Sequence, residues 1–509
     1  MTLLEVFNSS EKLDEASLIV LGGIIAILGV TLSTFVQWYR LSHIPGPTLA
    51  SLTSLWNYIV YKRKRVHEVI VSVQEEYGKI VRIGPNDVLI SDPETIWRIN
   101  SARSVYGRGE WYGSTRINPY AHSLFSEMDT AKHDKRKAQL SFGFSGKGLT
   151  DLEGKVNMQL FVLIDVLKEK VRQGGGQFVV DLSRLLQYFQ VDLITHAAIG
   201  EAWGDLTSEK DRFNYLDTGD RLFPSIHAAA TVPFLRSLFF SPLFLRFFGP
   251  STTKGWLGYY HDAVVKKVAS PQVEEDGDNT LSVWLKHGVT PAEAEVDLAL
   301  LMPAGTETSI STIRGVFMYL ITCPRIYSKL KEEIAKGIEE GRISSPISSE
   351  EARNLPYLQA VVNEGMRMAP PLTTGFAKKV PVGGDIVCGK ELPADTEIYI
   401  NFISMMKNQE IFGQDVGVFR PERFIDCDEA TKAKRLKLVD LNFGYGRWLC
   451  LGKSLAWMEM NKIFVELLRL FDFQVLNPER PWHRVSTATW FIYNFHVQVT
   501  NDPKVSVEA

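Results

Sequence analysis

Residues 290–323 set the size of the domain that this chain can build. Thr290-Pro291-Ala292-Glu293 is a helix start, with a capping hydroxyl, proline at the first helical position and an acid in the first turn. Helical periodicity then continues to Cys323, where Pro324 stops it. That is about 34 residues, or ~50 Å at 1.5 Å per residue, enough to cross a whole domain. In the middle lies Pro303-Ala304-Gly305-Thr306-Glu307-Thr308. Pro303 removes a backbone donor and Gly305 allows close approach, so a locally opened turn is predicted here. Such a turn would offer a hydroxyl, Thr308, beside a carboxylate, Glu307, for handling protons in a dry groove. The competing reading is a kinked core helix whose threonine bonds back to its own carbonyl.

A second stretch, residues 443–452 (FGYGRWLCLG), leads into an apolar helix beginning near Cys450. A cysteine in that place can serve as a thiolate holding a haem iron, its charge stabilised by the metal and by backbone N–H groups. Gly446 and Gly452 flank it and allow the backbone to turn tightly beside a flat ring. The following helix directs its N-terminal dipole at the sulfur, and Phe443 would keep water away from it. Read alone, Cys450 is better taken as a small buried hydrophobe, and it is the Phe and glycine spacing that reverses this.

Together these residues resemble the cytochrome P450 family, whose cysteine loop reads F-x-x-G-x-R-x-C-x-G and whose long helix carries A-G-x-E-T. Phe443, Gly446, Cys450 and Gly452 match in place; Trp448 stands where the family has arginine, and Arg447 lies one residue earlier. The resemblance covers the chain after about residue 44. It implies a mostly α fold with small β-sheets (α+β), the cytochrome P450 fold, preceded by one N-terminal transmembrane helix. It also implies haem (iron protoporphyrin IX) with Cys450 as the axial ligand. Splitting dioxygen takes two protons, which Thr308 and Glu307 would deliver.

The family's E-x-x-R buttress occurs six times as a bare pattern, at Glu169/Arg172, Glu209/Arg212, Glu339/Arg342, Glu350/Arg353, Glu364/Arg367 and Glu466/Arg469. Only Glu364/Arg367 has the family's surroundings, between Pro356 and Pro370-Pro371; Arg423 would complete it as a structural support. For the haem carboxylates the resemblance points to His133 and Lys137, four residues apart on one helix with Arg136 beside them, and to Lys378. The family more often has tryptophan and arginine at the first two places and arginine at the third. A solvated basic face is the alternative for any one of these lysines.

Residues 16–39 carry no charge, and about 20 apolar residues cross a bilayer. A cleaved signal peptide competes, but the charges before the segment are mainly acidic and the basic residues (Arg40, Lys62, Arg63, Lys64, Arg65) follow it. The expected layout is a luminal N-terminus (1–17), an anchor (18–38), a proline-containing hinge (39–60) with Pro45-Gly46-Pro47, and a cytosolic haem-thiolate catalytic domain (61–509). That places the protein in the endoplasmic reticulum membrane as a single-pass protein. Asn8-Ser9-Ser10 is a luminal glycosylation sequon. A net charge of −3 gives no basic surface for nucleic acid, and four cysteines without paired spacing give no disulfide framework or C-x-x-C zinc site.

Residues 77–93 alternate around Gly84-Pro85 as a β-hairpin. Residues 149–172 and 178–199 read as amphipathic helices separated by Gly174-Gly175-Gly176. The aromatic run 234–248 reads equally as core or as a membrane-surface element. No dinucleotide or flavin motif stands out, so a monooxygenase would draw electrons from NADPH through a separate NADPH–cytochrome P450 reductase, steered by Lys132, Lys135, Arg447 and Lys453. The other readings are a haem-bound sensor without turnover, and a haem-thiolate isomerase or dehydratase that uses no oxygen; the Glu307–Thr308 pair argues against both. The resemblance is greatest to fungal members of secondary metabolism. Residues 106–118, the helix near Leu301 and residues 372–376 would then contact an apolar substrate.

Overall fold

A computed structural model describes residues 15–144, 151–269 and 279–503, with the side chains of 15–20, 22–27 and 30 outside the description. Eight helices organise the account. They are α1 (Glu15–Arg40), α2 (Thr130–Leu140), α3 (Leu152–Gln173), α4 (Leu182–Ile199), α5 (Tyr215–Ala230), α6 (Pro291–Thr322), α7 (Pro356–Met368) and α8 (Lys453–Leu468).

The central helix α6 begins as its sequence requires. Thr290 accepts from the Glu293 N–H while the Glu293 carboxylate accepts from the Thr290 N–H, a reciprocal capping box. The helix runs through Pro303 without a break, so the predicted opening does not take the form of an interrupted helix. Ile310, Ile313, Val316 and Phe317 are fully buried, each worth roughly 1.5–3 kcal/mol on leaving water. Helix α4 packs along α6 and comes close at Gly305, where a Cβ would lie 2.4 Å from Ile194 Cδ1. Ile194 on α4 therefore explains the glycine.

The helices lean on a five-stranded sheet of β1 (Ile80–Arg82), β2 (Asp87–Ile90), β3 (Gly107–Arg108), β5 (Thr374–Lys379) and β6 (Glu397–Asn401), in the order β1-β2-β6-β5-β3. The hairpin expected over 77–93 is β1 paired antiparallel with β2. A second sheet joins β4 (Gln177–Asp181), β8 (His496–Asn501) and β7 (Phe471–Val475) in that order. Residues 178–181, expected as the start of a helix, are the strand β4. Pairing with β8 near the chain's far end outweighs the local helical period, and Asp181 caps α4 instead.

Helix α1 ends against this core. The buried Arg82 donates to the carbonyls of Gln37 at 2.9 Å, Trp38 at 2.8 Å and Pro85 at 2.7 Å, and its own N–H bonds the Pro45 carbonyl at 2.8 Å. The proline hinge is thus docked on the sheet, with Leu41, Ile44 and Ala50 buried. Among the described residues no helix is both long and apolar enough to cross a membrane. Most apolar side chains of the anchor expected at 18–38, and Asn8, lie outside the described residues. The aromatic run forms two short helices, Pro233–Phe239 and Pro242–Phe248, neither of which buries a residue; Phe234, Leu243, Phe247 and Phe248 are exposed. It is surface, not core.

Candidate active site

The cysteine loop is closed by its own backbone, the Cys450 N–H donating to the Phe443 carbonyl at 2.7 Å. Gly446 has φ +57°, and a Cβ on it would lie 2.6 Å from the Asn100 carbonyl oxygen and 2.8 Å from the Ala102 nitrogen. The glycine lets the loop press on residues 100–102, a neighbour that the sequence alone did not suggest. Gly452 caps α8, which starts at Lys453, slightly later than expected. The N–H groups of Gly452 and Lys453 bond the sulfur, and the Lys137 and Lys453 charges favour its thiolate. Burial is the larger effect and holds the thiol above its ordinary pKa. Cys450 is nonetheless accessible to solvent, as is Ala304 in the middle of α6.

Beside the loop lies a group of buried cations. Lys378 on β5 is 1% exposed, and its Nζ has no hydrogen-bond partner among the described residues. Burial first, then the charges of Arg108, Arg447 and Lys137, hold its pKa well below the ordinary lysine value. Its Nζ lies 3.5 Å from the centroid of the Trp448 ring, over which Arg108 also sits at 4.8 Å; the His133 ring is 4.6 Å away. Arg108 Nε and Trp448 Nε1 are likewise buried and unpartnered among the described residues. Three orphaned donors of this kind fit a group that brings carboxylate oxygens of its own.

The predicted anchors divide. His133 and Lys378 join this cluster. Lys137 faces it but donates to the carbonyls of Arg447 at 2.7 Å and Leu449 at 2.6 Å. Arg447 turns away to the Ala102 carbonyl at 3.0 Å and to Asp134 at 3.3 Å. Arg136 is spent on an ion pair with Asp297 at 2.6 Å. Arg108 was not singled out from sequence; its signal was a lone cation among aromatics in Tyr106-Gly107-Arg108-Gly109-Glu110-Trp111-Tyr112.

On α6 the two predicted proton carriers face different ways. The Thr308 hydroxyl donates to the Ala304 carbonyl at 2.7 Å, the back-bond of the competing reading. Glu307 is buried against α4, with Gln187 Nε2 at 3.5 Å from Oε1 and no partner for Oε2 among the described residues. Burial pushes its pKa up to about 7, opposed chiefly by Arg314. Near neutral pH the carboxyl is therefore divided between its acid and carboxylate forms.

Behind the loop, Glu364 is fully buried and accepts from Arg367 Nε at 2.7 Å and Nη2 at 2.8 Å, from Arg423 Nε at 3.0 Å and from the Arg420 N–H at 2.9 Å. Arg423 is anchored in turn by Asp415 at 3.0 Å. By contrast, Glu169/Arg172 is a surface pair. Two of the three expected substrate stretches, 106–118 and 372–376, meet with Phe125 at a ring cluster in which Trp111, Tyr112, Phe125 and Phe376 have centroids 5.1–6.1 Å apart.

A helical domain with small sheets, a cysteine loop at a helix start and a long proline-bearing helix define a class. The chain belongs to the cytochrome P450 family: the family model described as Cytochrome P450 matches residues 45–495. It is 38% identical over 468 residues to Cytochrome P450 monooxygenase aba1 of Botryotinia fuckeliana, covering 90% of this chain and 92% of that one. It is 37% identical over 495 residues to Cytochrome P450 monooxygenase ABA1 of Pyricularia oryzae, covering 94% and 96%. Pisatin demethylase of Fusarium vanettenii is 27% identical over 464 residues, covering 89% and 87%. The chain is thus an oxidoreductase of the monooxygenase kind, in a family that binds haem.

Proposed function

We propose that this enzyme inserts one oxygen atom from O2 into an apolar small molecule, a secondary-metabolite intermediate, with electrons from NADPH through a separate reductase. The observation that carries the reading is the cluster of buried, unpartnered donors on Lys378, Arg108 and Trp448 beside Cys450. Bound beside Cys450, haem would supply the oxygen activation that this reaction needs. Cys450 holds the iron, with Phe443 shielding the sulfur and Gly446 and Gly452 shaping the loop. Lys378, Arg108 and His133 take the carboxylates, with Lys137 fixing the loop between them. Arg108→Ala should speed haem loss to an apo-globin acceptor by roughly 10–100-fold, the worth of one hydrogen bond to a charged group.

Glu307 in its acid form gives up protons, and the Thr308 oxygen, whose own hydrogen is held by Ala304, accepts a hydrogen bond at the groove. That same back-bond is the one observation favouring a non-oxygenating isomerase or dehydratase. Thr308→Ala separates the two: product formed per NADPH consumed should fall by about 10²-fold or more. Unchanged product yield would favour the oxygen-independent reading. The aromatic cluster supports an apolar substrate, and relatives named for monooxygenation and demethylation support the reaction class.

The layout proposed is a luminal 1–17, an anchor at 18–38, a docked hinge at 39–60 and a cytosolic domain at 61–509 in the endoplasmic reticulum membrane. Exposed Leu28, Leu32 and Phe35 on α1, and Phe234 and Phe247 on the two short helices, support contact with lipid.

A further inference from the structure

Residues 115–129 lead into α2 without any helix or strand of their own. A stretch of that length has no ladder of backbone bonds to fix it, so side chains from elsewhere must do so. Two charges act on one residue. The Leu124 N–H donates to Asp297 Oδ1 on α6 at 2.7 Å, and the Leu124 carbonyl accepts from Arg108 on β3 at 2.6 Å. Arg108 donates also to the Glu127 carbonyl at 2.9 Å. Asp297 is 1% exposed, and its other oxygen accepts from Arg136 Nε on α2 at 2.6 Å. Arg136 in turn donates to the His122 carbonyl at 2.8 Å.

What this brace holds is the next side chain. Leu124 packs on one core cluster and Phe125 on the other, with ring centroids 5.2 Å from Tyr112, 5.6 Å from Phe376 and 6.1 Å from Trp111. Asp297 also begins the face of α6 on which Leu301, Ala304 and Thr308 lie, four, seven and eleven residues further on. That face is not packed shut: Ala304 is exposed, and Leu301 and Thr308 are half-buried. One carboxylate therefore sets the ring of Phe125 against the open face of the long helix. Dispersion contacts are sensitive to such spacing, since ~0.5–1 Å of extra gap forfeits a quarter to a half of a contact.

We propose that Asp297 is a positioning residue for the apolar part of the substrate, acting through Leu124 on Phe125, with Arg136 holding the carboxylate in place. The proposal rests on the reading of the ring cluster as a substrate contact. Asp297 is buried between α2, α6 and the loop, and it acts only through these neighbours. From the other side Arg108 ties the same residue to the cations set for the haem carboxylates. Phe125 is thus registered against the cofactor site and the long helix at once. Burial pushes the Asp297 pKa up to about 6 against the pull of Arg136, so above neutral pH the carboxylate that accepts both bonds prevails.

The test is ligand binding to the haem-loaded protein at ~pH 8, read from the absorption shift when an imidazole nitrogen binds the iron. Imidazole itself reports the iron alone, while 1-decylimidazole adds an alkyl chain that needs the apolar wall. Phe125→Ala should weaken 1-decylimidazole roughly tenfold and Asp297→Ala roughly fivefold, with imidazole unchanged in both. The double variant should bind no more weakly than Phe125→Ala, because one substitution already removes what the other positions. Unchanged 1-decylimidazole affinity in Asp297→Ala overturns the proposal, and so does a double variant in which the two losses multiply. Equal weakening of imidazole overturns it likewise, since Asp297 would then support the whole site. If Asp297→Ala does not fold, Arg136→Gln takes its place in the same cycle, with the same outcomes deciding. Failure of the underlying reading looks different: Phe125→Ala then binds both ligands as the unaltered protein does, and the proposal falls with it.

Discussion

Cys450→Ser should yield a protein that no longer shows the red-shifted absorption of thiolate-ligated haem when reduced and treated with carbon monoxide. Product formation should fall by about three orders of magnitude or more, over 4 kcal/mol of lost barrier reduction. Serine keeps the side chain's size and leaves the Phe443–Cys450 backbone bond intact, so the loop should still close. What it removes is a soft anion. Burial alone disfavours the thiolate at this position, and the Gly452 and Lys453 N–H groups only partly offset that. An alkoxide is far harder to form under the same burial. The measurement is a difference spectrum alongside product yield, and retention of the shifted band in the serine variant would remove Cys450 from the metal.

Glu364→Ala should cost about 3–5 kcal/mol, the usual consequence of breaking a buried ion pair by deleting one partner. Two guanidinium groups, Arg367 and Arg423, lose their shared carboxylate in a region with no access to water. A stability of 5–15 kcal/mol leaves little margin for such a loss. Denaturant unfolding of the purified variant should show a lowered midpoint, and the yield of haem-loaded protein should drop. Glu169→Ala, at a pair with the same sequence pattern on the surface, should leave the unfolding midpoint nearly unchanged, because water screens that pair. Equal stability losses in the two variants would mean that burial does not distinguish them.

The contrast between those two pairs locates what a linear reading can reach. Glu364 and Glu169 each precede an arginine by three residues, and helix geometry alone predicts the same contact for both. The difference lies with Arg423, Arg420 and Asp415, brought in from a separate stretch. The glycines give the same lesson from the other side. In sequence Gly305 reads as serving a groove and Gly446 a ring, whereas Ile194 and the backbone of residues 100–102, respectively, are what a Cβ would strike. The residue type was legible; its reason was not.

By itself the sequence determined the elements whose physics is local: the capped start of the long helix, the loop that precedes Cys450, and the pairing of β1 with β2. Each depends on bonds between residues a few positions apart, so order along the chain suffices. Only the tertiary structure decided that Arg108 and Lys378 meet over Trp448 and that residues 178–181 join a sheet. Those arrangements follow from which surfaces are buried together, and burial of charge is a property of the packed whole.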